Sequence, residues 1–193
     1  MNELMTARSL TTRPAVTLGG DALGHIKETV FDDRAERIAG FTLSGLGLLS
    51  GTLGHGLPWA GVHSLGHDAV MIRDPRRLVR ADAVAAHGGP LRGRIIGARV
   101  RTDDGDEVGT VLDVIVAGGT SGRVVGFRVA GARLLPPLSG RHRREVYLPR
   151  GESVAVSGRT VVVESGVTGC AADDLPAFAV RAGAFRRLGR GSP

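Results

Sequence analysis

The sequence contains one cysteine, Cys170, and one lysine, Lys27, and aromatic residues make up only 4% of its 193 residues. A single cysteine excludes an intramolecular disulfide, a cysteine-based zinc site and a CxxC redox motif. The low aromatic content disfavours a nucleic-acid site built from base-stacking platforms.

No long hydrophobic run is present either. The most apolar stretch, residues 41–53, is interrupted by glycine and serine, and a membrane-spanning helix needs about 20 consecutive apolar residues. Residues 1–13 lack the apolar core of a signal peptide. We therefore expect a cytoplasmic protein without a transmembrane segment.

The net charge of +6 is carried almost entirely by arginine and is unevenly distributed. Residues 73–99 contain seven arginines and only two acidic residues, whereas residues 1–72 have a net negative charge. Arginine clusters can bind phosphate oxygens, so RNA, the ribosome or an anionic membrane surface are candidate partners; a solvated linker and tail are the alternative. The candidate contacts are Arg76, Arg77, Arg80, Arg141, Arg143, Arg144, Arg186 and Arg187.

Two copies of one unit can be read along the chain. Residues 21–31 resemble residues 106–116, and residues 37–45 resemble residues 123–131. The matches keep the same order and nearly the same spacing, which predicts a tandem repeat. Four pairs of residues fall in register: Gly24 and Gly109, Gly40 and Gly126, Phe41 and Phe127, Pro58 and Pro149.

Each copy has the pattern of an all-β unit. The segments are short, rich in β-branched residues and bounded by Gly, Asp and Pro turn signals. Gly24 and Gly109 stand inside strands, which indicates a bulge or a tight bend. The predicted strands are 14–18, 23–31, 37–44, 60–64 and 68–72 in the first copy, and 94–101, 107–116, 123–130, 145–148, 152–156 and 160–164 in the second.

The residues between the copies predict one helix. Asp74 is a favourable N-cap, Pro75 suits the first turn, and Gly88 and Gly89 would end the helix. We therefore predict four segments. They are a first domain (5–73), a helical basic linker (74–91), a second domain (92–166) and a flexible basic C-terminal tail (167–193).

The repeated segments resemble the PRC-barrel domain. The resemblance is carried by residues 14–18, 22–26 and 38–41 in the first copy and, more closely, by residues 97–114 in the second. It implies two small SH3-like β-barrels in tandem. Similar domains occur in the photosynthetic reaction centre H subunit and in the ribosome maturation factor RimM. The resemblance further implies an interaction and assembly module without a shared catalytic centre.

No catalytic, cofactor or metal site emerges from the residues. His55, His63 and His67 with Asp68 could be considered as metal ligands, but the strand–turn–strand pattern around them does not bring the rings together. Ser64, His67 and Asp68 are too close in sequence for a triad, whose members come from separate segments. The glycine-rich stretch 45–51 matches no phosphate-binding motif. We expect neither enzymatic activity nor a bound cofactor.

An apolar segment in the first copy is the candidate contact surface. Residues 45–57 form a longer connection than a hairpin needs, and an exposed apolar patch usually marks a contact site. We therefore interpret the chain as a non-catalytic scaffold or adaptor that binds protein partners or itself, with an RNA- or ribosome-binding factor as the alternative. The candidate partner-binding residues are Leu46, Leu48, Leu49, Leu53 and Trp59.

Overall fold

The computed structural model describes residues 3–32, 36–46, 51–86, 89–90, 95–131, 145–151, 155–157 and 159–189. The chain divides into two compact units. The first comprises Met1–Leu91 together with Val116–Val124, and the second comprises Arg92–Ile115 together with Val125–Pro193. Both are built on a β-sheet, which confirms the predicted all-β fold.

The first unit places its strands in the order β6-β7-β2-β3-β4-β5-β8, with β9 paired to β3. Strands β2 and β7 run parallel, and the other pairs are antiparallel. Its elements are β1 (Leu4–Thr6), α1 (Ala7–Leu10), β2 (Pro14–Thr17), β3 (Ala22–Asp32), β4 (Arg37–Ser44), β5 (Thr52–Pro58), a 3-10 turn (Trp59–Gly61), β6 (Val62–Leu65), β7 (Val70–Ile72), a second 3-10 turn (Pro75–Arg77), β8 (Val79–Arg80), α2 (Ala81–Ala85) and β9 (Gly89–Pro90).

The second unit repeats this arrangement in the order β13-β12-β11-β10-β15-β14. The pair β10 and β15 is parallel, as β2 and β7 are in the first unit. Its elements are β10 (Arg99–Thr102), β11 (Glu107–Ala117), β12 (Val124–Ala130), β13 (Glu145–Pro149), β14 (Ala155–Ser157), β15 (Thr160–Val163), a 3-10 turn (Ser165–Cys170) and α3 (Leu175–Gly189).

Gly24 and Gly109, which occupy the same position in the two copies, have the same structural role. Gly24 pairs with Ala15 and Gly109 pairs with Val100, and the register of each strand pair shifts directly afterwards. The two glycines have φ angles of 155° and 156°, a backbone conformation that favours glycine because it has no Cβ. The predicted bulge is therefore present in both copies.

The phase of the strands is also the same in the two copies. Phe41 pairs with Leu57, and Phe127 pairs with Leu148. All four side chains are buried and form part of the aliphatic and aromatic core. This confirms the predicted register between the copies.

The segment 45–57, predicted to be one long connection, is in part a strand. Residues 52–58 form β5, which pairs with β4 as β13 pairs with β12. Gly54 and Gly56 obscure this strand in the sequence, because glycine has low strand propensity. Gly56 is nevertheless required, since a Cβ there would lie 2.5 Å from Val84 Cγ2.

The single helix predicted from Asp74 is wrong in its first half. Asp74 caps only the 3-10 turn Pro75–Arg77, and the chain then pairs with β5 through β8 before α2 begins at Ala81. Val84 of α2 is buried over Gly40, where a Cβ would lie 2.7 Å from Val84 Cγ1. The linker is therefore part of the first unit.

The prediction of a flexible tail at 167–193 is wrong for residues 167–189, which contain the end of a 3-10 turn and α3. Tyr147 of β13 and Ala172 exchange backbone hydrogen bonds of 2.8 and 3.0 Å. Phe178 of α3 is fully buried, and its Cζ would lie 2.5 Å from a Cβ on Gly126. Buried apolar area stabilises this helix against the sheet.

Candidate interaction surface

Among the predicted contact residues with described side chains, Leu46 is the most exposed to solvent. It is the second residue after β4, and 56% of its surface is exposed, whereas Leu43 and Leu57 on the paired strands β4 and β5 are fully buried. Leu48 and Leu49 lie outside the described residues, as does the side chain of Leu53 in β5. Leu46 therefore lies beyond the end of the strand and outside the core of the first unit.

Trp59, in contrast, is half-buried in the first unit. Its ring centroid lies 6.5 Å from that of Phe41, at an interplanar angle of 49°. A Cβ on Gly122 would lie only 2.5 Å from the indole Cη2. Trp59 thus packs between Phe41 and a glycine, and only part of the indole remains available to a partner.

Gly122 reaches Trp59 because residues 116–124 belong to the first unit. The N–H of Leu65 donates to Gly119 O (2.8 Å), and the N–H of Gly119 donates to Leu65 O (2.9 Å). On the other side of the segment, the N–H of Ile38 donates to Gly122 O at 2.9 Å. These bonds extend the edge strand β6 and cover Leu65, so this edge is closed to a partner.

Two arginines in the described part of the basic patch are neutralised by neighbouring aspartates. Arg76 lies 3.1 Å from Asp74 and Arg80 lies 3.0 Å from Asp82, in ion pairs at the surface in which only Asp74 is half-buried. Exposed pairs of this kind contribute little to stability. Arg77 is also exposed. Three of the other candidate arginines, Arg141, Arg143 and Arg144, lie outside the described residues, and Arg186 and Arg187 belong to α3 without described side chains.

The two aspartates in these pairs have lowered pKa values. A hydrogen bond from the Arg76 side chain, followed by one from the Arg76 backbone N–H, lowers the pKa of Asp74 below 3.8. The hydrogen bond from the Arg80 side chain lowers the pKa of Asp82. Both carboxylates are therefore charged at neutral pH, and each offsets the charge of one arginine.

The histidines considered as metal ligands lie apart on the first unit. His55 is exposed on β5, His63 is exposed on β6, and His67 Nδ1 lies 2.8 Å from Asp68 Oδ1 at the surface. Across the described ranges, no group of three or more His, Cys, Asp or Glu side chains could hold a metal ion.

None of the described helices combines the length and the hydropathy that crossing a membrane requires.

A family model connects both repeats to known proteins. The model of the PRC-barrel domain matches residues 2–79 and again residues 92–167. No curated protein matches the chain. The matched residues include β2–β7 of the first unit and β10–β15 of the second, but neither α2 nor α3. PRC-barrel domains mediate protein interactions. With two tandem matches that cover most of its length, the chain belongs to the PRC-barrel domain family.

Proposed function

We propose that this protein is a non-catalytic scaffold or adaptor that binds a protein partner through the β4–β5 connection of its first unit. The observation that carries the proposal is the exposure of Leu46 beside a strand pair whose described leucine side chains, Leu43 and Leu57, are buried. Leu48 and Leu49 follow in the sequence, so the connection contains three leucines within four residues. Apolar contact area of this kind supplies most of the free energy in protein interfaces.

RNA or ribosome binding through arginine is the alternative that the experiment must separate. Arg76 and Arg80 are already paired with aspartates, which weakens their attraction for phosphate. Binding to phosphate groups decreases steeply as salt is added, because counterions are released on binding. An apolar contact lacks this dependence, so the salt response distinguishes the two functions.

The test is affinity capture from native lysate with the full chain and two variants. The first variant replaces Leu46, Leu48 and Leu49 with Ser. The matched control is Val180→Ser, which removes an apolar side chain that is 73% exposed on α3. Each capture is repeated with nuclease and at raised salt, and the captured protein is then purified and titrated directly.

We expect the triple variant to reduce binding of the purified partner at least tenfold, and we expect the control to leave it unchanged. Trp59, the only tryptophan, reports by fluorescence whether the first unit of the variant is folded. Equal binding by the triple variant would contradict the proposal. Capture that nuclease abolishes would favour the RNA-binding alternative, and unfolding of the first unit would show that the leucines are ordinary core residues.

A further inference from the structure

The two units present corresponding corners with different side chains. In the first unit Thr17 pairs with Ile72 on parallel strands, so Leu18 and Arg73 leave the sheet side by side. In the second unit Thr102 pairs with Val163 in the same way. We call residues 18–21 and 73–77 the first corner, and residues 103–107 with residue 164 the second corner.

The turn 17–21 of the first corner and the turn 102–106 of the second corner have the same backbone. The N–H of Asp21 donates to Thr17 Oγ1 at 3.1 Å, and the N–H of Asp106 donates to Thr102 Oγ1 at 3.0 Å. Gly20 completes the first turn with a φ angle of 96°, and the matching glycine of the second turn has 91°. These two turns therefore differ in their side chains and not in their chain path.

The side chains give the two corners opposite character. The first corner contains three arginines and two aspartates, and Leu18 is 57% exposed there. The second corner contains three aspartates and two glutamates and no basic residue. Where the first corner has Leu18, the second has Asp103, whose carboxylate accepts the N–H of Ser165 at 2.8 Å.

Several of these charges are available for a partner. Arg73 and Arg77 are exposed beside Gly61, and neither forms an ion pair with a described residue. The same holds for Asp104, Asp106 and Glu107 of the second corner. Guanidinium groups bind carboxylates through paired hydrogen bonds, so the exposed groups of the two corners are complementary.

We propose that the first corner of one chain binds the second corner of a second copy, so that the protein associates head to tail. Arg73 and Arg77 meet the carboxylates of the turn 103–107, and Leu18 adds the apolar contact. Such a contact is heterologous and produces a ring or an open chain of copies. Its area is small, so the association is weak and sensitive to salt. This inference does not rest on the proposed partner-binding function.

The test is sedimentation velocity of the full chain over a range of protein concentrations. We expect the average mass to rise with concentration at low ionic strength, and the association constant to fall about tenfold or more when exposed charges are screened at about 0.5 M salt. A wild-type protein that stays monomeric at every concentration would overturn the proposal.

Two charge-reversed variants make the test specific. One carries Arg73→Glu and Arg77→Glu, and the other carries Asp104→Arg and Asp106→Arg. The first variant has two acidic corners, and the second variant keeps a net charge of only −1 at its second corner instead of −5. Neither variant alone should therefore associate as the wild type does. An equimolar mixture should associate, because it retains one complementary pair of corners. A mixture that stays monomeric, or a single variant that associates as the wild type does, would contradict the proposal.

Further variants control for misfolding and distinguish self-association from the proposed partner binding. Arg73→Gln with Arg77→Gln removes the charge without reversing it, and it should weaken association with an unchanged Trp59 fluorescence melt. Leu18→Ser should weaken self-association at least threefold, whereas Leu46→Ser should not. Self-association that depends on Leu46 and not on Leu18 would overturn this inference while leaving the proposed function standing.

Discussion

The two units cover the same part of the sheet with different helices. In the first unit the five-residue helix α2 places Val84 over Gly40 and Gly56. In the second unit the 15-residue helix α3 places Phe178 over Gly126. In each case the chain first pairs with the outer edge of the preceding strand, through β8 on β5 and through Ala172 on β13.

This comparison shows that the linker and the tail are the same element of the repeat. The helices differ threefold in length and share little sequence. Each nevertheless packs on the glycine at the same position of the repeat, Gly40 in the first unit and Gly126 in the second. Because the glycine has no side chain, the helix can approach the sheet closely. The size of the helix side chain that packs there depends on the neighbouring residue of the sheet. Gly56 leaves room for Val84 in the first unit, whereas Tyr147 contacts Phe178 in the second, with ring centroids 6.2 Å apart.

The largest expected loss of stability comes from truncating the helix side chains Phe178 and Val84, and it should differ between the two units. Phe178→Ala should destabilise the second unit by about 3–5 kcal/mol, because it opens a large cavity. Val84→Ala removes two carbon atoms and should destabilise the first unit by about 2 kcal/mol. Chemical denaturation checks both, with the single tryptophan, Trp59, reporting on the first unit and the single tyrosine, Tyr147, on the second. Equal and small losses would mean that neither helix is anchored.

The next effect concerns a turn with a positive φ angle, which is occupied by threonine in the first copy and by glycine in the second. Thr12 has a φ angle of 74°, and Gly97 has 83° at the corresponding position. Each donates its N–H to the following long strand, to Ile26 O or Val111 O, at 2.8 Å. A β-branched residue in this conformation costs about 1–3 kcal/mol.

Thr12→Gly should therefore stabilise the first unit by about 1 kcal/mol after the entropic cost of glycine is subtracted. The reciprocal change Gly97→Thr should destabilise the second unit by about 1–2 kcal/mol. Thermal melts of both variants and of the wild type measure this. If Thr12→Gly lowers the stability of the first unit, the correspondence between the two turns does not extend to their energetics.

A smaller gain in stability is expected when a core residue of the first copy is replaced by its counterpart from the second copy. Thr29 pairs with Phe41, and its buried Oγ1 has no hydrogen-bond partner among the described residues. The second copy has the buried Val114 at the same distance from its bulge glycine. Thr29→Val should stabilise the first unit by about 1 kcal/mol, because an unsatisfied buried hydroxyl is removed. Denaturant titration followed by Trp59 fluorescence tests this, and a loss of stability would indicate a partner for the hydroxyl.

The smallest effect concerns the turn before each helix. Asp74 has a lowered pKa because it accepts hydrogen bonds from Arg76, whereas the corresponding turn of the second unit has no side-chain cap bond from Glu164. An acid with a lower pKa in the folded state stabilises the fold above its unfolded pKa, and this stabilisation is lost as the pH falls through the folded pKa.

Asp74→Asn should therefore lower the melting temperature of the first unit slightly at pH values above about 5. The difference between the variant and the wild type should shrink as the pH is lowered. Melts recorded by Trp59 fluorescence across the acidic range provide the measurement. A difference that stays constant with pH would show that the charge of Asp74 is irrelevant to the turn.

The strands could be predicted well from the sequence, because local signals specify them. Gly24 and Gly109 mark the bulge, and the alternation around Phe41 and Phe127 places both rings in the core. Strand β5 was missed because its glycines hide the pattern, although they are there to admit Val84. The exposure of Leu46 agrees with the glycine and serine around it, but which partner covers it depends on chemistry outside this chain.

The covering helices could not be recognised as one element, because their sequences share no pattern and their equivalence lies in long-range contacts. A local signal for α3 does exist. Asp174 accepts the N–H of Ala177 at 2.7 Å as an N-cap, and the buried Phe178 and Ala182 are four residues apart on one helix face. The inclusion of residues 116–124 in the first unit has no local signal at all, since it depends on pairing with Leu65 and on contact with Trp59.

The most direct test of the shared covering element is a set of nuclear Overhauser effects in the full chain. We expect cross-peaks from the Val84 methyl groups to the Hα protons of Gly40 and Gly56, and from the Phe178 ring to the Hα protons of Gly126. Both sets together would establish that the linker and the tail perform the same role in the two units. A Phe178 ring with averaged chemical shifts and no cross-peak to Gly126 would contradict it.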